Sequence, residues 1–188
     1  MKQHKAVFTT SLLLIGTAAL YRVIPGRPYG FAPQIAMAVF GGAILRDLKW
    51  SFALPLFSLF ISDVLYEMLF MAGITPIQGF YSGQWLNYLE IGSVVFIGML
   101  LRKFTWRRFL LCGFLAPTWF FILSNFTVWA GSSGVLIPKN FTGLMETYIL
   151  GLPFYANSIA ATYLFGSIFF SVWMYGLKGS KPAVHSHS

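Results

Sequence analysis

Six long apolar runs constrain the fold of this chain more than any other feature of its sequence. Each run is about as long as the roughly 20 residues that an α-helix needs to cross a bilayer. Only 10% of the residues are charged, whereas soluble domains have about 25%. The sequence therefore predicts an all-α integral membrane protein with six transmembrane helices, a single domain over residues 1–178 and a disordered cytoplasmic tail over residues 179–188. The predicted helices cover residues 6–23, 31–46, 52–72, 84–101, 107–130 and 157–177.

The basic residues predict the orientation of this bundle. With a cytoplasmic N-terminus, ten Lys and Arg residues fall on the inside and three on the outside. Such a bias on short loops is typical of cytoplasmic connections, so both termini are expected in the cytoplasm. The formal net charge of +8 is thereby explained without a nucleic-acid partner. The three outer cations are Arg22, Arg27 and Lys139.

The predicted outer connections are longer than the inner ones and rich in glycine, proline and aromatic residues. The last of them, residues 131–156, contains an apolar stretch at residues 141–155. This stretch predicts a short helix that lies in the membrane interface or folds over the bundle. Binding is therefore expected on the outer side.

Two carboxylates lie within the third apolar run. Asp63 and Glu67 are four residues apart, so they share one face of a helix. A carboxylate near the bilayer centre costs about 2.5 to 3.5 kcal/mol, which favours a position facing a protein interior, a partner or a wet cavity. Either Arg22 or Arg27 could supply a counter-charge, or one carboxyl could stay protonated. Asp63 is the predicted floor of an outward-facing cavity, and Glu67 is part of its wall.

Further polar side chains fall in the predicted outer half of the bundle, whereas the inner half is almost purely apolar. A channel or symmetric carrier would spread such groups along its path, so this asymmetry favours a cavity that opens outward and is closed below. Hydrogen bonding between helices is the alternative role for each single residue. Trp85 and Tyr81 are the aromatic residues expected to grip a flat ligand. The other predicted binding residues are Gln34, Asn87, Glu90, Asn125, Asn157 and Arg27.

Small residues recur at a spacing of four in the second apolar run. Ala32 and Ala36 form one pair, and Ala38 and Gly42 form another. This spacing lets helix backbones approach closely. The pairs serve either packing within the bundle or docking of another membrane subunit.

Motifs of the common enzyme classes are absent from the sequence. It has no Walker A sequence, no Gly-x-Ser-x-Gly elbow, no His-Glu-x-x-His and no Cys/His cluster. His4, His185 and His187 lie in the tails, so a histidine-dependent intramembrane hydrolase is not expected. No enzymatic activity, metal or cofactor is predicted.

Four stretches are informative when they are taken together. They are residues 31–43 (FAPQIAMAVFGGA), 55–63 (PLFSLFISD), 124–131 (SNFTVWAG) and 138–144 (PKNFTGL). They resemble an uncharacterised family of small bacterial membrane proteins regarded as transporters, and the chain is more loosely similar to the substrate-binding S components of energy-coupling factor (ECF) transporters. The resemblance covers roughly residues 20–175.

The resemblance implies an S component in the bacterial inner membrane that captures a vitamin-like micronutrient from outside. It would then topple in the membrane against a T subunit driven by two cytoplasmic ATPases. S components often dock through an Ala-x-x-x-Ala pattern on the first helix, whereas Ala32 and Ala36 lie on the predicted second helix. The sequence thus predicts a membrane transport protein for a small organic solute. A proton-coupled carrier that uses Asp63 and Glu67, and a structural membrane protein without a ligand, are the alternatives.

Overall fold

The computed structural model describes the backbone of residues 2–178 and the side chains of residues 12–174. The chain is all-helical within that range, which confirms the all-α part of the predicted fold class. The first five helices lie within a few residues of the predicted runs, and the predicted tail, residues 179–188, lies outside the described residues. The helices are α1 (Lys2–Arg22), α2 (Gln34–Ile44), α3 (Leu48–Met71), α4 (Gln84–Met99), α5 (Trp106–Gly131) and α6 (Phe141–Lys178).

Three of the described helices are long and apolar enough to cross a membrane. They are α3, α5 and the stretch of α6 from Phe141 to Met174. By length and composition, these helices indicate a membrane protein. In α1, the part with described side chains, Leu12–Arg22, is also apolar. Helix α2 has 11 residues and α4 has 16, below the roughly 20 that a full span needs.

The short helix α2 lies at the centre of the bundle, where it packs against α3, α4 and α6. All of its residues from Gln34 to Ala43 are buried. Gly42 faces the backbone of α4 so closely that a Cβ atom there would collide with the carbonyl oxygen of Val95. Because its neighbours surround it, α2 determines where the other helices lie.

The burial of α2 decides between the two roles that the spacing of small residues left open. Ala36, Ala38 and Gly42 lie inside the bundle, and Ala32 is half-buried just before the helix begins. The proposed docking face for another subunit is therefore wrong for the three buried positions, because neighbouring helices of the same chain already cover them. Their small size serves close packing within the bundle.

The segment predicted as a separate interfacial helix is the first part of α6. Residues 141–155 are helical, but α6 continues without a break to Lys178. Tyr148 in this segment donates a hydrogen bond to the carbonyl oxygen of Ile122 on α5 (2.9 Å). The predictions of a separate interfacial helix and of a last helix that begins at residue 157 are therefore wrong. Packing along α5 makes the whole segment one helix.

The bundle has two chemically different ends. At one end, which we call the polar end, α1, α3 and α5 finish and α2, α4 and α6 begin, and side chains from these termini contact one another. The opposite end, which we call the basic end, carries the connections from α2 to α3 and from α4 to α5. The polar end comprises Arg22, Arg27, Gln34, Asp63, Glu67, Gln84, Glu90, Asn125, Thr127 and Asn157. The basic end comprises Arg46, Lys49, Arg102, Lys103, Arg107 and Arg108.

Candidate functional site

Asp63 lies inside the bundle, about 12 Å from the end of α3 by the helical rise, and only 1% of it is exposed. Its Oδ1 atom accepts a hydrogen bond from Nη1 of Arg22, with which Asp63 forms an ion pair. Its Oδ2 atom accepts hydrogen bonds from Nε2 of Gln84 (2.5 Å) and from the hydroxyl of Tyr88 (2.6 Å). Of the alternatives that the sequence left open, the counter-charge from Arg22 is the one found.

These contacts tie three helices together, because Arg22 ends α1, Asp63 lies in α3, and Gln84 and Tyr88 lie in α4. Arg22 also donates to Oγ of Ser62 (2.8 Å). A buried ion pair offsets the desolvation of two charges only when the remaining donors and acceptors are satisfied. Both carboxylate oxygens of Asp63 have partners here. We therefore interpret Asp63 as a brace between helices rather than as the floor of a cavity.

Glu67 does not share a site with Asp63, although the two residues lie one turn apart. Its Oε2 atom accepts hydrogen bonds from the backbone N–H groups of Gly79 (3.0 Å) and Phe80 (3.2 Å). Gly79 packs on the backbone of α3, where a Cβ atom would collide with the carbonyl oxygen of Asp63. Gln84 holds the same loop by donating to the carbonyl oxygen of Gly79 (2.7 Å). Glu67 thus fastens the connection between α3 and α4 onto α3.

Glu90 is a second buried carboxylate, 7% exposed. Its Oε1 atom accepts a hydrogen bond from the hydroxyl of Thr127 (2.6 Å). No cation lies within ion-pair distance of Glu90 among the described side chains, where the pair of Arg22 with Asp63 is the one ion pair found. Glu90 therefore links α4 to α5 through a neutral donor.

Arg27 and Gln34 lie beside the start of α2. Arg27 donates through Nε to the carbonyl oxygen of Arg22 (2.6 Å) and through Nη1 to that of Phe31 (3.4 Å). It pairs with no carboxylate among the side chains of residues 12–174. Gln34 is 4% exposed, and neither its Nε2 nor its Oε1 atom has a hydrogen-bond partner in that part of the chain.

A cavity of about 170 Å³ lies between α5 and α6 at the polar end. Of the binding residues predicted from the sequence, Asn125 lines this cavity. Its Nδ2 atom donates to the carbonyl oxygen of Phe121 (2.8 Å), and its Oδ1 atom has no hydrogen-bond donor among the described residues. Gly151 makes room for this amide, since a Cβ atom there would lie 2.5 Å from Oδ1. The lining residues are Pro117, Phe120, Phe121, Ser124, Asn125, Val128, Gly151, Phe154, Tyr155 and Ser158.

The walls of this cavity are aromatic and uncharged. The rings of Phe121 and Tyr155 stack with their centroids 4.7 Å apart. The hydroxyl of Ser158 donates to the carbonyl oxygen of Gly30 (3.0 Å), so one wall also contacts the segment before α2. Such a cavity can hold an apolar ring by contact and one polar group through Asn125.

Sequence reasoning missed the two stacked aromatic residues, Phe121 and Tyr155. A signal was present in α5, where Phe121, Ser124, Asn125 and Val128 recur at spacings of three and four and so share one face. Tyr155 was harder to find because the sequence predicts it at the end of a separate interfacial helix, whereas the structure has it within α6, stacked on Phe121 of α5.

The remaining predicted binding residues do not converge on one site. Trp85 and Tyr81 are 62% and 51% exposed, so neither encloses a ligand within this chain. Asn157 donates to the carbonyl oxygen of Tyr29 (2.8 Å), and the Asn87 side chain makes no hydrogen bond to the described residues. No three His, Cys, Asp or Glu side chains within residues 12–174 come together as a metal site.

Comparisons with known proteins give one positive result. No curated protein and no solved structure matches the chain. A family model, however, matches residues 2–183, which is nearly its whole length. The chain therefore belongs to DUF6580, a family of unknown function.

Proposed function

We propose that this chain is a membrane transport protein that binds a small organic solute, a vitamin-like micronutrient, from the outside. The proposed site is the cavity between α5 and α6. The observation that carries the proposal is the acceptor Oδ1 of Asn125, which faces an aromatic cavity and has no donor among the described residues. An amide in that position supplies orientation, and the rings supply contact area.

The size and the lining of the cavity select the solute. A cavity of about 150 Å³ holds benzene, and this one measures about 170 Å³. It therefore has room for one ring. The stacked rings of Phe121 and Tyr155 offer that ring an apolar wall, while Oδ1 of Asn125 accepts a hydrogen bond from it. A single-ring solute with an N–H or O–H group is the best match.

The proposed topology has six membrane-spanning helices and both termini in the cytoplasm. The concentration of Lys and Arg at the basic end supports this orientation, because cytoplasmic connections carry an excess of them. In the bacterial inner membrane, the cavity at the polar end then lies on the outer side. The central helix α2 can be shorter than a full span because the other helices separate it from the lipid.

The resemblance to S components supports a partner in uptake, a T subunit driven by ATPases. Such a subunit would bind a face other than Ala36, Ala38 and Gly42, because these residues are covered by their own bundle. The partner would supply the energy, since the sequence has no Walker A motif of its own.

A proton-coupled carrier that uses Asp63 and Glu67 has less support. Asp63 is paired with Arg22, and Glu67 accepts two backbone hydrogen bonds, so both carboxylates already have protein partners. A structural protein without a ligand also has less support, because it leaves the acceptor in the cavity without a role.

The test compares two substitutions of the same kind at the polar end. The wild-type protein, Asn125→Leu and Asn87→Leu are purified in parallel, and co-purifying small molecules are identified by mass spectrometry. Asn87 is the matched control because it is an asparagine at the same end that does not line the cavity. We expect a single-ring solute with the wild type and with Asn87→Leu, and its loss from Asn125→Leu. If the two variants retain the solute equally, the proposed site is refuted. If no small molecule co-purifies with the wild type, solute binding is refuted.

A further inference from the structure

The first turn of α2 is buried without hydrogen-bond partners. Gln34, Ile35 and Ala36 are 4%, 5% and 1% exposed. Their backbone N–H groups have no acceptor among the described residues, since the first hydrogen bond of the helix runs from Met37 to the carbonyl oxygen of Pro33. Pro33 precedes the helix and offers no side-chain cap.

The side chain of Gln34 adds two more unpartnered groups at the same place. Both Nε2 and Oε1 are buried and lack a partner among the described residues. Side chains of helical residues lean toward the N-terminus of their helix, so this amide lies over the start of α2. Native proteins rarely leave buried polar groups unpaired, because each one costs its desolvation. A group from outside this chain is the natural partner for this turn.

The charge around this turn is positive. The aligned peptide dipoles of a helix give its N-terminus about half a positive charge. The Arg27 guanidinium contacts the segment that leads into this turn, where its Nη1 atom is 3.4 Å from the carbonyl oxygen of Phe31, three residues before α2 begins. Arg27 donates only to carbonyl oxygens and to the hydroxyl of Tyr66. No carboxylate of residues 12–174 lies within ion-pair distance of it.

We propose that the start of α2 is an anion site, in which Gln34, the unpartnered N–H groups and Arg27 bind the carboxylate of the transported solute. The inference rests on the proposed function and narrows its substrate class to single-ring organic acids. Several donors and a guanidinium around one carboxylate are the arrangement in which charge-assisted hydrogen bonds form. A neutral solute would leave Arg27 without an anionic partner.

The segment between α1 and α2 connects this site with the cavity. Ser158 lines the cavity and donates to Gly30 of that segment (3.0 Å). Gly30 also packs directly on the backbone of Phe154, another lining residue. The segment that leads into α2 therefore borders the cavity.

The test uses 4-hydroxybenzoate and 4-hydroxybenzamide, below called the benzoate and the benzamide, which share a ring and a phenolic O–H donor for Asn125 and differ in charge at the other end. Their binding is measured by calorimetry on the full chain in phosphatidylcholine nanodiscs, which contain no anionic headgroup. We expect the wild type to bind the benzoate at least about tenfold more tightly than the benzamide, a difference that one charge-assisted contact can supply. Gln34→Leu and Arg27→Gln should each remove that preference. Lys139→Gln is the matched control, because Lys139 is a cation at the same end that instead contacts the carbonyl oxygens of Trp129 and Ala130.

Thermal unfolding without ligand separates a binding role of Gln34 from a structural one. Gln34→Leu removes two unpaired buried groups, so it should raise the melting temperature by a few degrees while it abolishes the preference for the benzoate. A higher melting temperature with an unchanged preference would mean that Gln34 holds an internal water only, and this would overturn the proposal. Wild-type protein that binds the benzoate no more tightly than the benzamide, or does not bind it at all, would also overturn it. If the wild type binds the benzoate no more tightly than the benzamide, the transport proposal still stands, provided that binding of the benzamide depends on Asn125. Such binding supports the cavity as the solute site without the anion site.

Discussion

Two regions at the polar end treat their polar side chains in opposite ways. Around Asp63, a charged group from α1 and neutral groups from α4 satisfy both oxygens of one carboxylate. Between α5 and α6, uncharged side chains border a cavity, and Oδ1 of Asn125 has no donor among the described residues. The comparison teaches that the buried carboxylate finds its partners within the protein. The half-buried amide of Asn125 keeps an acceptor that a solute can use.

The difference in charge also sets the scale of the expected effects. Breaking a buried ion pair costs about 3 to 5 kcal/mol, whereas hydrogen bonds between side chains averaged about 0.6 kcal/mol in one membrane bundle. Substitutions around Asp63 should therefore destabilise the bundle, and those around Asn125 should change binding at little cost in stability.

The largest effect is expected from Arg22→Gln. This substitution leaves the Asp63 carboxylate buried without its cation, so the free energy of unfolding should fall by about 3 to 5 kcal/mol. Denaturant unfolding of the purified protein in mild detergent measures the loss. The double variant Arg22→Gln/Asp63→Asn removes both charges and should recover more than half of it. If the effects of Arg22→Gln and Asp63→Asn on stability simply add, the two residues are not coupled. Asp63 would then not act as a brace between helices.

A smaller and local effect is expected from Glu67→Ala. The backbone N–H groups of Gly79 and Phe80 lose a charged acceptor, and hydrogen bonds to charged groups contribute about 1.5 to 3 kcal/mol. Hydrogen exchange at these two amides should become faster. The Gly143 amide, which donates to Asn140 in another connection (2.9 Å), is the internal control and should keep its rate. Equal acceleration at all three amides would indicate global unfolding instead of release of one loop.

Glu90 lies between the two extremes of the comparison, because its carboxylate is buried but has a neutral donor. Thr127→Val keeps the shape of the side chain and removes the hydroxyl that donates to Glu90 (2.6 Å). We expect a loss of about 1 to 2 kcal/mol in the free energy of unfolding, since a buried acceptor loses its partner. Thr127→Ser retains the hydroxyl and should lose less. If the Val variant is as stable as the Ser variant, the hydrogen bond does not contribute to the contact of α4 with α5.

The sequence predicts most of the fold because five helices coincide with apolar runs bounded by polar or glycine-rich connections. A helix over residues 141–155 was predicted, but its continuation into the last helix was missed, because Gly151 and Pro153 near the junction individually disfavour a helix interior. Contact with α5 along the length of the segment overrides these local preferences. Such a contact joins residues that are distant in sequence, so no local pattern reports it.

The sequence predicts the candidate site less completely than the fold. The need of Asp63 for a counter-charge follows from burial alone, and Arg22 was one of two arginines within reach. The cavity depends instead on the register between α5 and α6, which brings Gly151 beside Asn125 and Tyr155 onto Phe121. Asn125 could be selected as a polar residue in a span, but its aromatic partners could not be identified without that register.

The smallest effect on stability, and the sharpest one on binding, is expected from Gly151→Ala. The added methyl group would lie 2.5 Å from Oδ1 of Asn125, so it fills the space beside the acceptor and pushes the amide aside. Ala is favoured over Gly in a helix by about 1 kcal/mol, which offsets the strain, and we expect stability to stay within about 1 kcal/mol of the wild type. Gly166→Ala is the control in the same helix, because its methyl group would meet the ring of Phe109 at an ordinary 3.4 Å. Mass spectrometry should find the co-purifying solute with Gly166→Ala and not with Gly151→Ala. Retention of the solute by both variants would mean that the cavity between α5 and α6 is a packing defect. The regions around Asp63 and Asn125 would then differ in charge and not in ligand binding.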